Sequence, residues 1–289
     1  MKEEKTLRLI FPQWQGGLNP DYLFGSELLA CIAPPSSSDE TITVPIAQDF
    51  NAPSTLFDGV AFGKALLQQA QSARSILDEK QPDRIIVFGG DCSVSQIPFD
   101  YLGGRYQDQI GILWLDAHPD ISTTQMTSHL HEMPLSNLLG RNPHSPLTRV
   151  EHPYTASRVF MAGLIEEDLR PMDALCTELK IRIGSPEELA ADSRPVLDWI
   201  GERGIRYLAV HWDLDVLSPR DYRSIYPAEP YTEPKEFPAA VGRMTMGDIG
   251  RLLADVSEHA EIVGLSIAEH LPWDAFKLRK TLASLSLFR

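Results

Sequence analysis

The chain is poor in cysteine, in basic residues and in long apolar runs. Its three cysteines, Cys31, Cys92 and Cys176, are odd in number and form no Cys-x-x-Cys pair. That excludes a disulfide framework and matches a reducing compartment. No apolar stretch has membrane-spanning length. The opening segment Met1-Lys2-Glu3-Glu4-Lys5 is charged and leads straight into a strand-like run, so no signal peptide is read and a cytoplasmic protein is expected. Lysine and arginine number 26 against 40 aspartates and glutamates, a net charge of −14. This balance argues against nucleic acid or anionic membrane as a partner. The full G-x-G-x-x-G spacing is missing around Gly89-Gly90, which removes the usual nucleotide-binding turn. Neither an internal repeat nor a clear linker is found.

What remains is an ordinary globular composition, 43% hydrophobic and 23% charged over 289 residues. It suffices for one large domain, and residues 1–289 are read as a single α/β domain. Strands are expected at Leu7–Phe11, Thr41–Pro45, Arg84–Gly90, Ile110–Leu115, Arg158–Met161, Ile205–Val210 and Glu261–Ile267. Helices are expected over about Asp58–Glu79, Ser93–Tyr101, Met133–Leu139, Pro186–Gly201, from Thr245 to about His259, and after Ile267 to about Leu285. Thr245-Met246-Gly247-Asp248 has the form of a capping box. Pro12–Gly25 and Pro34–Glu40 read as loops. Arg220–Ala239, with Pro227, Pro230, Pro234 and Pro238, reads as a lid, an oligomer contact or a plain surface insertion. Short apolar strands alternating with helices predict a mostly parallel sheet covered on both faces, a three-layer α/β/α fold. Sites in such sheets lie beyond the carboxyl ends of the strands.

Two strand ends carry the chemistry. Ile112-Leu113-Trp114-Leu115 runs into Asp116-Ala117-His118-Pro119-Asp120, and Tyr207-Leu208-Ala209-Val210 runs into His211-Trp212-Asp213-Leu214-Asp215. Residues two apart on a strand share a side, so Asp116, His118 and Asp120 can converge, as can Asp213 and Asp215. Four carboxylates and an imidazole held together repel unless a cation lies between them. Oxygen donors with one nitrogen suit a hard or borderline divalent ion such as manganese.

Five blocks in order resemble the arginase (ureohydrolase) family, which includes arginase, agmatinase and formimidoylglutamase. They are Gly89-Gly90-Asp91-Cys92-Ser93; Asp116-Ala117-His118-Pro119-Asp120; His131-Glu132-Met133-Pro134-Leu135-Ser136; Asp213-Leu214-Asp215 with Ser218-Pro219; and Ser266-Ile267-Ala268-Glu269-His270-Leu271-Pro272. The resemblance implies an arginase-like fold. It also implies hydrolysis of a linear C–N bond in a small guanidino or amidino compound, by a hydroxide held between two divalent ions. The implied metal ligands are Asp116, His118, Asp120, Asp213, Asp215 and the residue at Cys92, with Asp116 and Asp213 bridging. The implied catalytic residues are Asp120, orienting the hydroxide; His131, passing a proton to the leaving amine; and Glu269, pairing with the guanidinium. Manganese is the expected metal, with nickel or zinc admitted by Cys92. Family members often form trimers or hexamers, so a homo-oligomer is expected.

The chain departs from the family pattern at several points. Cys92 stands where the family has a histidine ligand, and a soft thiolate prefers zinc or iron. It reads as an altered metal site or as a small buried residue beside an empty one. His211 stands where the family usually has serine; it either supplies the imidazole lost at Cys92 or is a core histidine bonded to a carboxylate. Glu132 replaces a glycine, and either binds a substrate ammonium or points to solvent. The loop Ile121–Leu130 is slightly shorter than in arginases; Ser122 and Ser128 can donate to a substrate carboxylate, and His129 occupies one asparagine position. Glu166 and Asp168 match an acidic pair that meets the substrate amino group. The substrate-binding set read here is therefore Ser128, His129 and Asp168. These departures also sustain a second reading: a non-catalytic relative with an impaired metal site and a regulatory or structural role.

Overall fold

The computed structural model describes residues 4–232 and 237–288. Eight strands form one sheet: β1 (Thr6–Phe11), β2 (Glu40–Thr43), β5 (Arg84–Gly89), β6 (Ile110–Leu115), β7 (Val159–Ala162), β8 (Arg182–Gly184), β9 (Tyr207–Asp213) and β10 (Glu261–Ala268). Their order is β2-β1-β5-β10-β9-β6-β7-β8, and every pairing is parallel. The two remaining strands, β3 (Leu56–Phe57) and β4 (Val60–Ala61), form a separate antiparallel hairpin.

Helices cover both faces, which is why the inner strands read as continuous apolar runs. All six residues of β6 are buried. On one face, Ile110, Ile112, Trp114 and Ala209 pack with residues of α2 (Gly63–Lys80), α3 (Gln96–Tyr106) and α4 (Pro134–Leu138). On the other, Leu113, Leu115, Leu208 and Val210 pack against α6 (Pro186–Ala191), α7 (Arg194–Arg203) and α8 (Met246–Ser257). The alternation along β6 and β9 thus divides two cores, and the three-layer α/β/α architecture is as expected.

Local departures have identifiable causes. Asp21 to Ile32 is helical (α1), although Pro12–Gly25 read as loop. The segment is polar and bears Pro12, Gly16, Gly17, Pro20 and Gly25, yet Gly25 serves close packing: a Cβ there would lie 1.8 Å from the backbone oxygen of His270. The helix expected from Asp58 starts at Gly63, because Asp58 and Gly59, both at positive φ, turn the β3–β4 hairpin. Pro186–Gly201 is two helices, broken at Asp192-Ser193 ahead of Pro195. The Thr245 capping box forms as expected: Asp248 N donates to Thr245 Oγ1 at 3.2 Å and Thr245 N to Asp248 Oδ2 at 2.9 Å.

Candidate metal centre

The sheet register sets the site. Trp114 on β6 lies beside His211 on β9, and His211 lies beside Ser266 on β10. One level on, Ala268 pairs with Asp213, and Asp116 follows Leu115 at the same height. Asp116 and Asp213 therefore emerge side by side from neighbouring strands at their carboxyl ends.

Strand alternation does not carry the rest, as the sequence reading supposed. The strand β6 stops at Leu115, and Asp120 takes a positive φ of 45°. Both segments curl by the same device. The amide of His118 donates to Asp116 Oδ1, and that of Asp215 to Asp213 Oδ1, each at 2.7 Å. An aspartate that accepts from the amide two residues on folds the chain back over itself. The curl brings His118 Nδ1 to 3.2 Å from Asp215 Oδ2 and 3.4 Å from Asp116 Oδ1.

Cys92 arrives from a third direction. It begins the helical turn after β5, where Asp91 accepts from the amide of Ser93 at 3.1 Å and that of Gly16 at 2.9 Å. Gly90 is required there, since a Cβ would sit 1.8 Å from the Gln13 backbone oxygen. The Cys92 thiol donates to Asp213 Oδ2 at 2.7 Å. Glu269 follows β10, also at a positive φ, 61°. Non-glycine residues at positive φ store strain that the surrounding packing must hold; Asp120 and Glu269 both do so at this centre.

Ligand-type atoms gather in overlapping sets, each within 4.8 Å of one another: Asp116, His118 and Asp215; Cys92, Asp213 and Glu269; and Cys92, Asp116, Asp120 and His211. Among the described residues, four buried atoms here find no hydrogen-bond partner: His118 Nε2, Asp120 Oδ2, Asp215 Oδ1 and His211 Nε2. Orphaned buried polar atoms are rare and costly. The carboxylates are strained in charge as well. Burial, with repulsion from Asp215, lifts Asp116 to about 7. Burial and neighbouring carboxylates also hold Asp120 and Asp213 well above the usual range. Asp215 is drawn down despite its burial, because His118 lies against it. Burial pushes the Cys92 thiol up and His211 down to about 3. Buried acids, unpaired lone pairs and two imidazoles fit divalent cations, which would replace protons and satisfy the orphaned atoms.

A cleft opens over these groups. His131 stands on its wall, with Nδ1 3.1 Å from Glu269 Oε1. Burial opposes charging of His131, and the Glu269 contact together with the charges of Glu132 and Asp91 raises its pKa despite it. Tyr22, on the unforeseen helix α1, donates its hydroxyl to Glu269 Oε2 at 2.6 Å. Glu132 lines the cleft, where it receives Arg170 Nη1 at 3.0 Å and the Thr127 hydroxyl at 2.6 Å. Arg170, which drew no notice in the sequence, is held in turn by Asp173, with Nε 3.1 Å from Oδ2. Tyr226, Phe237, Pro238 and Ala239 line the cleft. These residues of the proline-rich stretch wall the site, Pro230 lines a separate cavity, and Pro234 lies outside the described residues.

The expected substrate-facing residues fare unevenly. His129 is half-exposed beside His131, its ring centre 5.9 Å away. Asp168 is exposed and is not part of the cleft lining. Ser128 uses its backbone oxygen to accept from Ala61 and does not line the cleft either. Ser122 is spent on the Met172 backbone oxygen at 2.9 Å.

The sequence profile of the Arginase family matches residues 34–229. This chain belongs to the arginase family. Arginase of Saccharomyces cerevisiae is 35% identical over 102 residues, a segment covering 32% of this chain and 30% of that protein. The curated relative is thus matched over less than a third of its length. Similarity of fold is far wider. The crystal structure of Entamoeba histolytica arginase in complex with L-ornithine superposes with a TM-score of 0.76 at 16% identity, covering 94% of this chain and 92% of that one. Formimidoylglutamase from Bacillus subtilis gives 0.68 at 13% identity, covering 94% and 81%. The arginase-family match spans the first four of the five sequence blocks; the last, with Glu269, lies beyond it.

Proposed function

We propose that this protein is a metal-dependent hydrolase of a linear C–N bond in a small guanidino or amidino compound. The observation that carries this reading is the convergence of Asp116, His118, Asp120, Asp213, Asp215 and Cys92, with buried lone pairs that no protein group satisfies, beneath a cleft walled by His131 and Glu269. Two divalent ions, manganese first, would be held there by Asp116, His118, Asp120, Asp213, Asp215 and Cys92. Bound ions supply Lewis acidity and lower the pKa of water to near neutrality.

The chain's own groups do the rest. Asp120 presents an unpaired carboxylate oxygen that accepts a hydrogen bond from attacking water and fixes its direction. Glu269 presents a carboxylate edge to a planar cation, steadied by the Tyr22 hydroxyl. His131 hands a proton to the departing amine, and its contact with Glu269 keeps that proton available near neutral pH. Arg170 and Glu132 line the same cleft as an ion pair, with Asp173 holding Arg170 from behind. The likeness to proteins named arginase and formimidoylglutamase agrees with a guanidino or amidino substrate.

The test is metal analysis of the purified protein with urea or ammonia release on a panel of guanidino and formimino compounds, adding manganese, nickel or zinc. Turnover of one panel member, dependent on metal, is expected. Full metal loading without turnover would favour the non-catalytic reading, for which the replacement of a histidine by Cys92 is the supporting observation.

A further inference from the structure

We infer that His211 is a metal ligand in this chain, restoring the imidazole to the ion position where Cys92 replaces the family's histidine. The inference rests on the two-ion reading above and adds a donor to it.

The side chain of His211 is fully buried on β9, two residues before Asp213 and on the same face. Its Nε2 belongs to the set formed with Cys92, Asp116 and Asp120, all within 4.8 Å. It lies 3.9 Å from Asp116 Oδ2, too far for a hydrogen bond and close enough for both atoms to reach one ion. The plain alternative, a core histidine bonded to a carboxylate, is not what the side chain does. Among the described residues, its side chain's only hydrogen bond is at the other nitrogen, where Ser95 Oγ lies 2.7 Å from Nδ1.

That serine also sets the tautomer. Ser95 Oγ donates its single proton to Ser266 Oγ at 2.7 Å. It must then accept from the imidazole, so Nδ1 carries the proton and Nε2 turns a free lone pair into the centre. Fixing one ring nitrogen so that the other can bind metal is the usual work of a ligand's supporting hydrogen bond. Orientation is fixed further by Trp114, whose ring stacks on the imidazole with centres 3.7 Å apart and planes 17° apart. Trp114 Nε1 also donates to Asp116 Oδ2 at 3.0 Å, so one side chain holds two members of the set.

The resulting donors are one sulfur, one imidazole nitrogen and carboxylate oxygens. Such a mixture suits a borderline ion, zinc before manganese. The two ion positions would then differ in preference, because the His118 side has no sulfur.

The experiment strips the protein with chelator, reloads it with zinc, and measures stoichiometry and affinity by elemental analysis and competition with a chromophoric chelator. His211→Gln, folded by circular dichroism, should drop from about two ions per chain to about one, or lose at least roughly 10-fold in affinity for one of them. Ser95→Ala keeps the ring but frees it, and should weaken the same ion roughly 10-fold. His118→Asn loaded with copper(II) should retain an imidazole-nitrogen coupling in its electron spin echo, lost in His118→Asn/His211→Gln. Unchanged zinc stoichiometry and affinity in His211→Gln, or no change in that coupling on adding the second substitution, would overturn the inference and leave the two-ion reading standing. A wild-type chain that binds no divalent metal would sink both.

Discussion

Tyr22 and Glu269 stand 247 positions apart and meet through a 2.6 Å hydrogen bond from phenol to carboxylate. The other oxygen of Glu269 faces His131. With both oxygens engaged and the backbone at positive φ, the carboxylate is pinned in one orientation. Tyr22→Phe removes one restraint without changing charge. A hydrogen bond to an ionised group contributes about 1.5–3 kcal/mol, so kcat/KM should fall roughly 10- to 100-fold. Steady-state kinetics on the best panel substrate measure this, and a change below about twofold would show that Glu269 holds its place without Tyr22.

Asp120→Asn should abolish turnover while leaving the fold intact. The substitution preserves shape and removes charge, and one Asp120 oxygen has no protein partner to lose. In the metal-free protein, circular dichroism and thermal unfolding should match the parent or exceed it, since a buried acid whose ionisation the fold disfavours has been removed. Near-normal turnover would reject the role given to this residue.

Metal-free protein should lose stability as pH rises from about 4 to about 7. Asp116 has a folded-state pKa of about 7 against 3.8 ordinarily, so the folded chain holds a proton that the unfolded chain releases. Its contribution is complete below the unfolded value and is lost as pH climbs through the folded one. Asp120 and Asp213 act in the same sense; His211, whose folded value of about 3 lies below its ordinary 6.5, opposes them across this interval, while the lowering of Asp215 acts only below it. Divalent metal competes with those protons, so the rise in Tm on loading should grow over the same interval. Thermal unfolding at several pH values, with and without metal, checks both signs. A metal-free Tm that increases steadily across this range would contradict the electrostatic account.

Arg170→Ala should destabilise the chain by about 1–2 kcal/mol, a value reduced from the buried-pair range because Arg170 is partly exposed. The cost falls on Glu132 and Asp173, which are left charged and less than 15% exposed in their side chains. Urea denaturation measures it. Arg170→Ala/Glu132→Gln should recover part of the loss; no recovery would mean that the pair does not couple.

The inner strands and five motif blocks were legible because continuous apolar runs ending in Asp, His and Gly have few other readings. The helix α1, and Tyr22 with it, was hidden by the polar, glycine- and proline-bearing composition of Pro12–Gly25, within which Gly25 serves to let His270 approach. Asp58-Gly59 offered a hairpin signal that the helical spacing of the following residues masked. Arg170 carries no local signature; its partner Glu132 is 38 positions earlier, and only folding joins them. The curls after β6 and β9 depend on amide-to-carboxylate bonds within each segment, which sequence spacing alone imitates as strand alternation.

The inner four strands of the sheet each contribute to one small volume, and the partners in it come from distant stretches: Cys92 and Glu269 lie 177 residues apart. The proposed donors themselves reach from Cys92 to Asp215, so the set is complete only when several strands are in place. Such long-range closure is slow, and it must precede tight capture of metal rather than be nucleated by it. Cation uptake during refolding is therefore a clock for the last stage of sheet assembly, trailing the far-ultraviolet signal and arriving together with the finished tertiary structure.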